Sequence, residues 1–133
     1  MNDNLDRILF QKYPKIFANR NGNIRETAMC WGFECGDGWY WLIDELCASL
    51  QWNTDKNNHP QVVASQVKEK FGTLRFYTQG ENDMQRGMII LAQEISARVC
   101  EECGSTENVK QTEGGWIKTL CSVCRGLPTP DLT

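Results

Sequence analysis

Four cysteines near the C-terminal end of the chain have the spacing of a metal site. Cys100 and Cys103 form one C-x2-C pair, Cys121 and Cys124 form a second, and seventeen residues separate the pairs. Two residues between cysteines allow a tight turn to bring both sulfur atoms to one ion, and two such pairs complete a tetrahedron of thiolates. Because a closed four-cysteine site has no open coordination position, we expect one structural Zn²⁺ per chain and no catalysis by the metal.

Other uses of these cysteines stay open on the sequence alone. A thiol redox pair needs only one C-x2-C, and an iron–sulfur cluster also accepts two evenly matched pairs. A second metal site built from Cys30, Cys35 and His59 is disfavoured, because four residues separate the two cysteines and a fourth ligand is missing. We interpret Cys30 and Cys35 as free thiols and Cys47 as a small apolar residue of the core.

Residues for acid–base or nucleophilic catalysis are scarce. The chain has one histidine, His59, in a stretch rich in asparagine and without a serine or cysteine nucleophile motif nearby. Neither the phosphate-binding loop motif G-x-x-x-x-G-K-[ST] nor the dinucleotide motif G-x-G-x-x-G occurs. We therefore name no catalytic residue, and although an enzyme is not excluded, a binding protein is favoured.

Three cations fall on one face of a predicted β-hairpin. Alternation and β-branched residues predict strands at about 62–70 and 73–78, joined at Phe71-Gly72. Counting outward from this turn pairs Lys70 with Thr73, Lys68 with Arg75, and Gln66 with Tyr77. These six residues share one face, while the other face has Val63, Val67, Leu74, Phe76 and, near the turn, Glu69. Arginine binds phosphate or carboxylate in a planar fork and lysine adds point charge, so Lys68, Lys70, Arg75 and Tyr77 are candidate ligand-binding residues; an ordinary solvated face is the alternative.

A second feature is the group of aromatic residues around the turn Cys35-Gly-Asp-Gly38. Trp39 lies on the apolar stripe of the helix that follows, which favours a place in the core. Tyr40 and Trp41 lie off that stripe, and we name both as candidate stacking surfaces for a ligand. Further along, residues 109–111 and 116–120 flank Glu113-Gly-Gly115 and predict a hairpin between the two cysteine pairs. We expect Trp116 to pack this hairpin against the long helix that precedes Cys100.

The charge of the chain makes nucleic acid a less favoured partner. The formal net charge is −3, and four thiolates around one zinc make the folded chain more acidic still, whereas phosphate backbones attract basic proteins. The alternative function is a regulatory zinc-ribbon protein that associates with nucleic acid, in which Lys110, Lys118 and Arg125 would contact the phosphates.

The sequence contains no run of about 18 apolar residues, so it predicts no membrane-spanning helix. The N-terminal residues do not resemble a secretory signal. We therefore expect a cytoplasmic protein.

Periodicity predicts the elements that hold these residues. A short amphipathic helix begins at Asn2 to Asn4 and ends near Lys12, before Pro14. The apolar residues Trp39, Leu42, Ile43, Leu46, Cys47 and Leu50 predict a second helix, capped by Asp37, with a polar loop at 51–61. A long helix follows from Asp83 and runs into Cys100.

The resulting fold class is α+β: two N-terminal helices, a β-hairpin, a long helix and a C-terminal zinc ribbon. We expect a single domain over residues 1–133, composed of an α+β core at 1–99, a zinc-ribbon subdomain at 100–126 and a frayed tail at 127–133.

Over about residues 30–126 the chain resembles a family of small uncharacterised proteins encoded by tailed bacteriophages and prophages. The resemblance lies in Cys35-Gly-Asp-Gly-Trp39, in Val67-Lys-Glu-Lys-Phe-Gly72 with Leu74-Arg-Phe-Tyr77, and in the segment Gly114-Gly-Trp-Ile-Lys-Thr-Leu-Cys121 after the first cysteine pair. It implies a phage accessory protein in the cytoplasm of the bacterial host.

Because such proteins often disarm host systems, the resemblance also suggests, by analogy, a non-enzymatic role against bacterial defence. The partner would be an anionic, nucleotide-like small molecule or a host protein. The oligomeric state stays open, with a homodimer as one outcome.

Overall fold

A computed structural model describes residues 1–22 and 27–126. Its helices are α1 (Asp3–Lys12), α2 (Tyr40–Asn57) and α3 (Asp83–Ser96), and short 3-10 turns cover Met29–Trp31 and Asp37–Trp39. One sheet contains β1 (Phe33–Glu34), β2 (Val63–Lys70) and β3 (Thr73–Gln79), and a second contains β4 (Lys110–Gln111) and β5 (Thr119–Leu120). The predicted α+β class and order of elements are confirmed, while the predicted frayed tail at 127–133 lies outside the described residues.

The first two helices agree only partly with the expectation. Helix α1 begins after Asn2, whose side chain accepts a hydrogen bond from the Leu5 N–H, and it ends at Lys12 as predicted. Helix α2, however, continues through the predicted polar loop to Asn57 and ends at Asn58, which has a left-handed φ of 58°. The polar side chains there bond within the helix: Thr54 donates to the Leu50 carbonyl and Asn53 to the Ser49 carbonyl. Adding turns to an existing helix costs little, and these bonds give the polar side chains partners within the helix, so a polar segment does not by itself end it.

The predicted cap of α2 is wrong. No side chain caps the helix, which instead begins through the 3-10 turn Asp37–Trp39. The Asp37 carboxylate accepts hydrogen bonds from the backbone N–H and the side-chain amide of Asn2, at 2.7 and 3.0 Å. Asp37 therefore ties the start of the chain to the turn at 35–38.

The hairpin of β2 and β3 has the predicted register. Lys70 pairs with Thr73, Lys68 with Arg75, and Gln66 with Tyr77. One part differs: a bulge between Ala64 and Gln66 shifts the start of β2, so Ala64 is fully buried and Val63 is not. The sequence pattern also did not predict β1, which pairs in parallel with β2 along only two residues.

The core lies between the inner face of the sheet and the helices. Phe10, Phe17, Phe33 and Phe76 form an aromatic cluster with neighbouring ring centroids 5.0 to 6.3 Å apart. Helix α3 covers the outer edge of β3, where Ser96 and Gln93 accept hydrogen bonds from the N–H groups of Leu74 and Phe76 at 2.8 and 2.9 Å. An edge strand covered in this way has fewer free backbone groups for pairing with other chains. The helix ends at Ser96, so the predicted continuous run into Cys100 is wrong; a turn separates them.

Candidate metal centre and basic face

The four predicted cysteine ligands come together in space. The Sγ atoms of Cys100, Cys103, Cys121 and Cys124 all lie within 4.8 Å of one another, and those of Cys103 and Cys121 are 3.6 Å apart. A tetrahedral zinc with Zn–S bonds of about 2.3 Å places its sulfur atoms about 3.8 Å apart. These four residues therefore fit a metal ion bound by thiolates.

The turns that carry the cysteines direct backbone amides at the sulfur atoms of Cys100 and Cys121. Gly104, with φ of 81°, donates its N–H to the Cys100 carbonyl and closes the first turn. Burial opposes ionisation of Cys100, but backbone N–H groups of Cys121, Cys103 and Glu102 aimed at its sulfur outweigh burial and lower the thiol pKa to about 7. In the second pair, the Cys124 N–H points at the Cys121 sulfur, 3.4 Å away. Amides that point at sulfur also stabilise metal-bound thiolates.

The segment between the cysteine pairs forms the expected hairpin. Strands β4 and β5 pair Lys110 with Leu120 and Gln111 with Thr119. Arg125 holds this ribbon together, because its guanidinium donates to the carbonyls of Leu120 and Asn108 at 2.6 and 3.2 Å. Of the three cations considered for phosphate binding, Arg125 is thus already engaged in the ribbon itself.

The turn at residues 35–39 is packed directly on the first cysteine pair. Gly38 donates its N–H to the Glu101 carbonyl at 2.7 Å, and Gly36 donates to the Glu101 carboxylate at 2.9 Å. The buried indole of Trp39 donates to the Val99 carbonyl at 2.9 Å. A Cβ atom on Gly38 would lie 2.1 Å from the Cys100 carbonyl oxygen. Glycine is thus required here by close backbone contact. In the sequence, the two glycines before Trp39 are the feature that indicates such a close approach.

The tip of the β2–β3 hairpin is packed on the ribbon as well. The Thr119 hydroxyl donates to the Gly72 carbonyl, and a Cβ atom on Gly72 would contact Thr119 and Ile117. The expectation that Trp116 packs against the long helix is wrong: the side chain is 79% exposed, and its indole N–H donates to Glu69 of β2 at 3.3 Å. The ribbon thus contacts the core at both the turn and the hairpin.

Four of the six candidate ligand-binding residues lie together on the outer face of the hairpin. Lys68 lies directly opposite Arg75 in the register, and Lys70 and Tyr77 continue the same face. Among residues 1–22 and 27–126, none of the three cations forms a salt bridge. Glu34 lies beside this face and accepts a hydrogen bond from Gln66. We call Lys68, Lys70, Arg75 and Tyr77 the basic face.

The other two candidates lie elsewhere. Trp41 is 48% exposed and lines an apolar groove between α2 and α3, with Leu42, Met88 and Leu91 among its neighbours. Tyr40 is partly buried against the core. The fold therefore does not place Tyr40 and Trp41 with the basic face, and binding by any of the six residues stays a prediction.

The remaining thiols differ from the cluster. Cys35 and Cys47 are buried in the core, and burial raises the pKa of Cys35 to about 12 and that of Cys47 well above its usual value. His59 pairs through Nδ1 with the Asn82 amide at 2.7 Å. Within the described part of the chain, the cluster of Cys100, Cys103, Cys121 and Cys124 is the only group of three or more side chains arranged to hold a metal.

None of the described helices has the length and apolar character that crossing a membrane requires. Comparison of the chain with family models, with curated proteins and with solved structures yields no match. The geometry of the metal cluster and of the basic face therefore supplies the evidence for function.

Proposed function

We propose that the four cysteines bind one structural Zn²⁺. The closeness of the sulfur atoms supports a single ion, and four thiolates leave no position for a substrate. The ion supplies a fixed tetrahedral link between the two cysteine pairs, and the chain supplies the amides that stabilise the thiolates.

Elemental analysis of the purified protein tests the metal. We expect one zinc per chain, with the content lost in Cys103→Ser and retained in Cys30→Ser, which changes a cysteine outside the cluster. Stoichiometric iron with visible absorbance, or protein without any metal, would contradict the proposal.

We further propose that the protein is a non-catalytic binding protein and that the basic face binds an anionic, nucleotide-like ligand. The observation that carries this proposal is the group of Lys68, Lys70 and Arg75 on one face of the hairpin. None of the three forms a salt bridge among the described residues, although Glu34 lies opposite Lys68 in the pairing of β1 with β2. Like charges placed together in a sheet destabilise it, so their grouping is better explained by an external anion. The Nε atom of Arg75 is also buried without a hydrogen-bond acceptor in the same set of residues.

Isothermal titration with pyrophosphate, as a simple polyanion, tests the face. We expect binding that is lost in the double variant Lys68→Ala/Arg75→Ala. The double variant Arg7→Ala/Lys56→Ala removes the same charge from exposed positions on α1 and α2 and serves as the matched control. Equal affinity of both variants would reject the basic face as the site.

The resemblance to phage proteins supplies the proposed setting, an accessory protein that counters a bacterial defence by sequestering an anionic signal nucleotide or by blocking a host protein. Native mass spectrometry of protein isolated from infected and uninfected bacteria tests this setting. A native mass that exceeds the mass of the chain plus one zinc, with the excess lost on denaturation, supports sequestration of a small ligand. A native mass without this excess favours a host protein as the partner.

A further inference from the structure

A hollow of about 350 Å³ lies where the tip of the β2–β3 hairpin meets the ribbon. Residues 68–71 line one side and residues 115–117 the other. Its volume lies within the range of small-molecule sites, which begins at about 300 Å³. The metal cluster holds the ribbon side of this hollow in place through β5, because Thr119 of that strand is bonded to Gly72 of the hairpin tip.

Two aromatic side chains in this hollow are exposed to an unusual degree. Trp116 is 79% exposed and Phe71 is 67% exposed. The Trp116 indole is nevertheless oriented, because its N–H donates to Glu69. Phe71 occupies a left-handed turn position with φ of 54°, where asparagine or glycine fits with less strain. Neither ring belongs to the core, and both line the same hollow, where grouped exposed apolar side chains are typical of a binding site.

Two lysines of the basic face line the same hollow. They are Lys68 and Lys70, and the Lys70 Nζ atom lies 5.6 Å from the centroid of the Phe71 ring. Exposed aromatic rings beside uncommitted cations are the combination that binds nucleotides, because every base has a face for stacking and every phosphate attracts lysine.

We propose that this hollow binds a nucleoside monophosphate unit, with its base stacked on Trp116 and Phe71 and its phosphate held by Lys68 and Lys70. The inference rests on the proposed function, since the phosphate end uses the basic face. It assigns the stacking role to Trp116 and Phe71 in place of Tyr40 and Trp41, which lie apart from the cations.

Titration calorimetry with AMP, GMP, CMP and UMP tests the site, with adenosine and inorganic phosphate as partial ligands. We expect at least one monophosphate to bind more tightly than either partial ligand. Trp116→Ala should lower that affinity by about 5- to 150-fold, which is the value of one stacked base, and should leave the affinity for pyrophosphate unchanged. Because Trp116 is exposed, we expect this variant to fold; circular dichroism and zinc content verify that it does.

Two variants serve as controls. Trp52→Ala removes another exposed indole, on α2 and outside the hollow, and should not change the affinity. Trp41→Ala tests the earlier candidate; a loss of nucleotide affinity in Trp41→Ala with none in Trp116→Ala would overturn the assignment of the stacking residues.

The remaining outcomes separate the inference from the proposed function. Pyrophosphate binding that depends on Lys68 and Arg75, without binding of any monophosphate, rejects the hollow and leaves the basic face standing. No binding of any probe rejects both. A single-stranded tetranucleotide is the last probe. If it binds at least 100-fold more tightly than each monophosphate, and its affinity depends on Trp116 in the same way, the proposed ligand is wrong and the hollow binds a nucleic-acid strand instead of a free nucleotide.

Discussion

Gly38 shows at the scale of one residue how the metal centre is joined to the core. Its Cα lies so close to the first cysteine pair that a methyl group would overlap the backbone of Cys100 and Glu101. We expect Gly38→Ala to lower the free energy of unfolding by about 1–3 kcal/mol and to weaken zinc binding, because the cysteine turn must move. Denaturant unfolding and competition with a zinc chelator measure the two effects.

Gly87 provides the control for that substitution. It lies exposed in α3 with open space around a built Cβ atom, so Gly87→Ala should raise stability by about 0.5–1 kcal/mol through helix propensity. A Gly38→Ala protein as stable as the Gly87→Ala protein would contradict the close packing of the turn on the cysteines.

Asp44 gives the stability a dependence on pH. Burial opposes ionisation of this carboxyl, but hydrogen bonds from Lys12 and Tyr13 outweigh it and hold the pKa of Asp44 below its usual value. A lowered folded pKa stabilises the protein above the unfolded pKa of about 4, and the stabilisation is lost as the pH falls through the folded value.

We therefore expect the wild type to be more stable than Asp44→Asn at pH 7 and this difference to shrink below about pH 4. Urea midpoints measured from pH 2 to 7 give the comparison, and Glu45→Gln, an exposed neighbour on α2, serves as the control. A difference that stays constant across this range would show that the Asp44 carboxylate does not stabilise the fold through its charge.

At the scale of elements, the turn of the β2–β3 hairpin carries strain that a better turn residue would remove. Phe71 and Gly72 both have positive φ, at 54° and 82°, and Asn-Gly is the preferred pair for such a turn. We expect Phe71→Asn to raise the free energy of unfolding by about 0.5–1 kcal/mol and to weaken nucleotide binding. Phe71→Ala removes the ring but leaves alanine, which like phenylalanine has a Cβ atom, at a positive φ. This variant should therefore weaken nucleotide binding without the gain in stability.

The sequence predicted best those features that depend on neighbours along the chain. The hairpin register followed from a two-residue turn, and the cysteine spacing predicted the cluster. The sequence does not show the bulge at Ser65, because Val62, Val63 and Ala64 are all apolar and their pattern does not indicate which of them faces the core. The polar residues at 51–57 favour a loop on sequence grounds, whereas in the structure they continue α2, and Asn53 and Thr54 donate to carbonyls of the preceding helical turn. The contact of the glycine turn with Val99 to Glu101 joins distant segments, and spacing along the chain does not report such contacts.

For the whole molecule, metal removal should affect more than the ribbon. Glu101, which lies between the first two cysteines, accepts hydrogen bonds from Gly36 and Gly38. Val99 accepts one from Trp39, and the ribbon is bonded to the tip of the hairpin. Zinc sites of this kind contribute about 10–16 kcal/mol in small peptides, as much as the net stability of a domain. We expect a chelator to lower the melting temperature of the helical signal, which arises from α1 to α3 outside the ribbon.

Thermal unfolding followed by circular dichroism, with and without chelator, measures this coupling. Restoring zinc should return the original transition. Helices that melt at an unchanged temperature after the metal has been removed would show that the core folds independently of the ribbon.

The packing of the glycine turn on the first cysteine pair also determines when the protein can fold during its synthesis. The Trp39 indole bonds to a carbonyl 60 residues later, and Gly36 bonds to a side chain 65 residues later. While the ribosome is still producing β2, β3 and α3, the N-terminal half lacks these partners, and Trp39 has no acceptor at Val99. Folding through contacts so distant in sequence is slow and leaves apolar surface exposed to other nascent chains. With the proposed zinc bound by the four cysteines, we therefore expect the supply of metal at the end of translation to limit completion of the N-terminal half, although none of the four cysteines belongs to it.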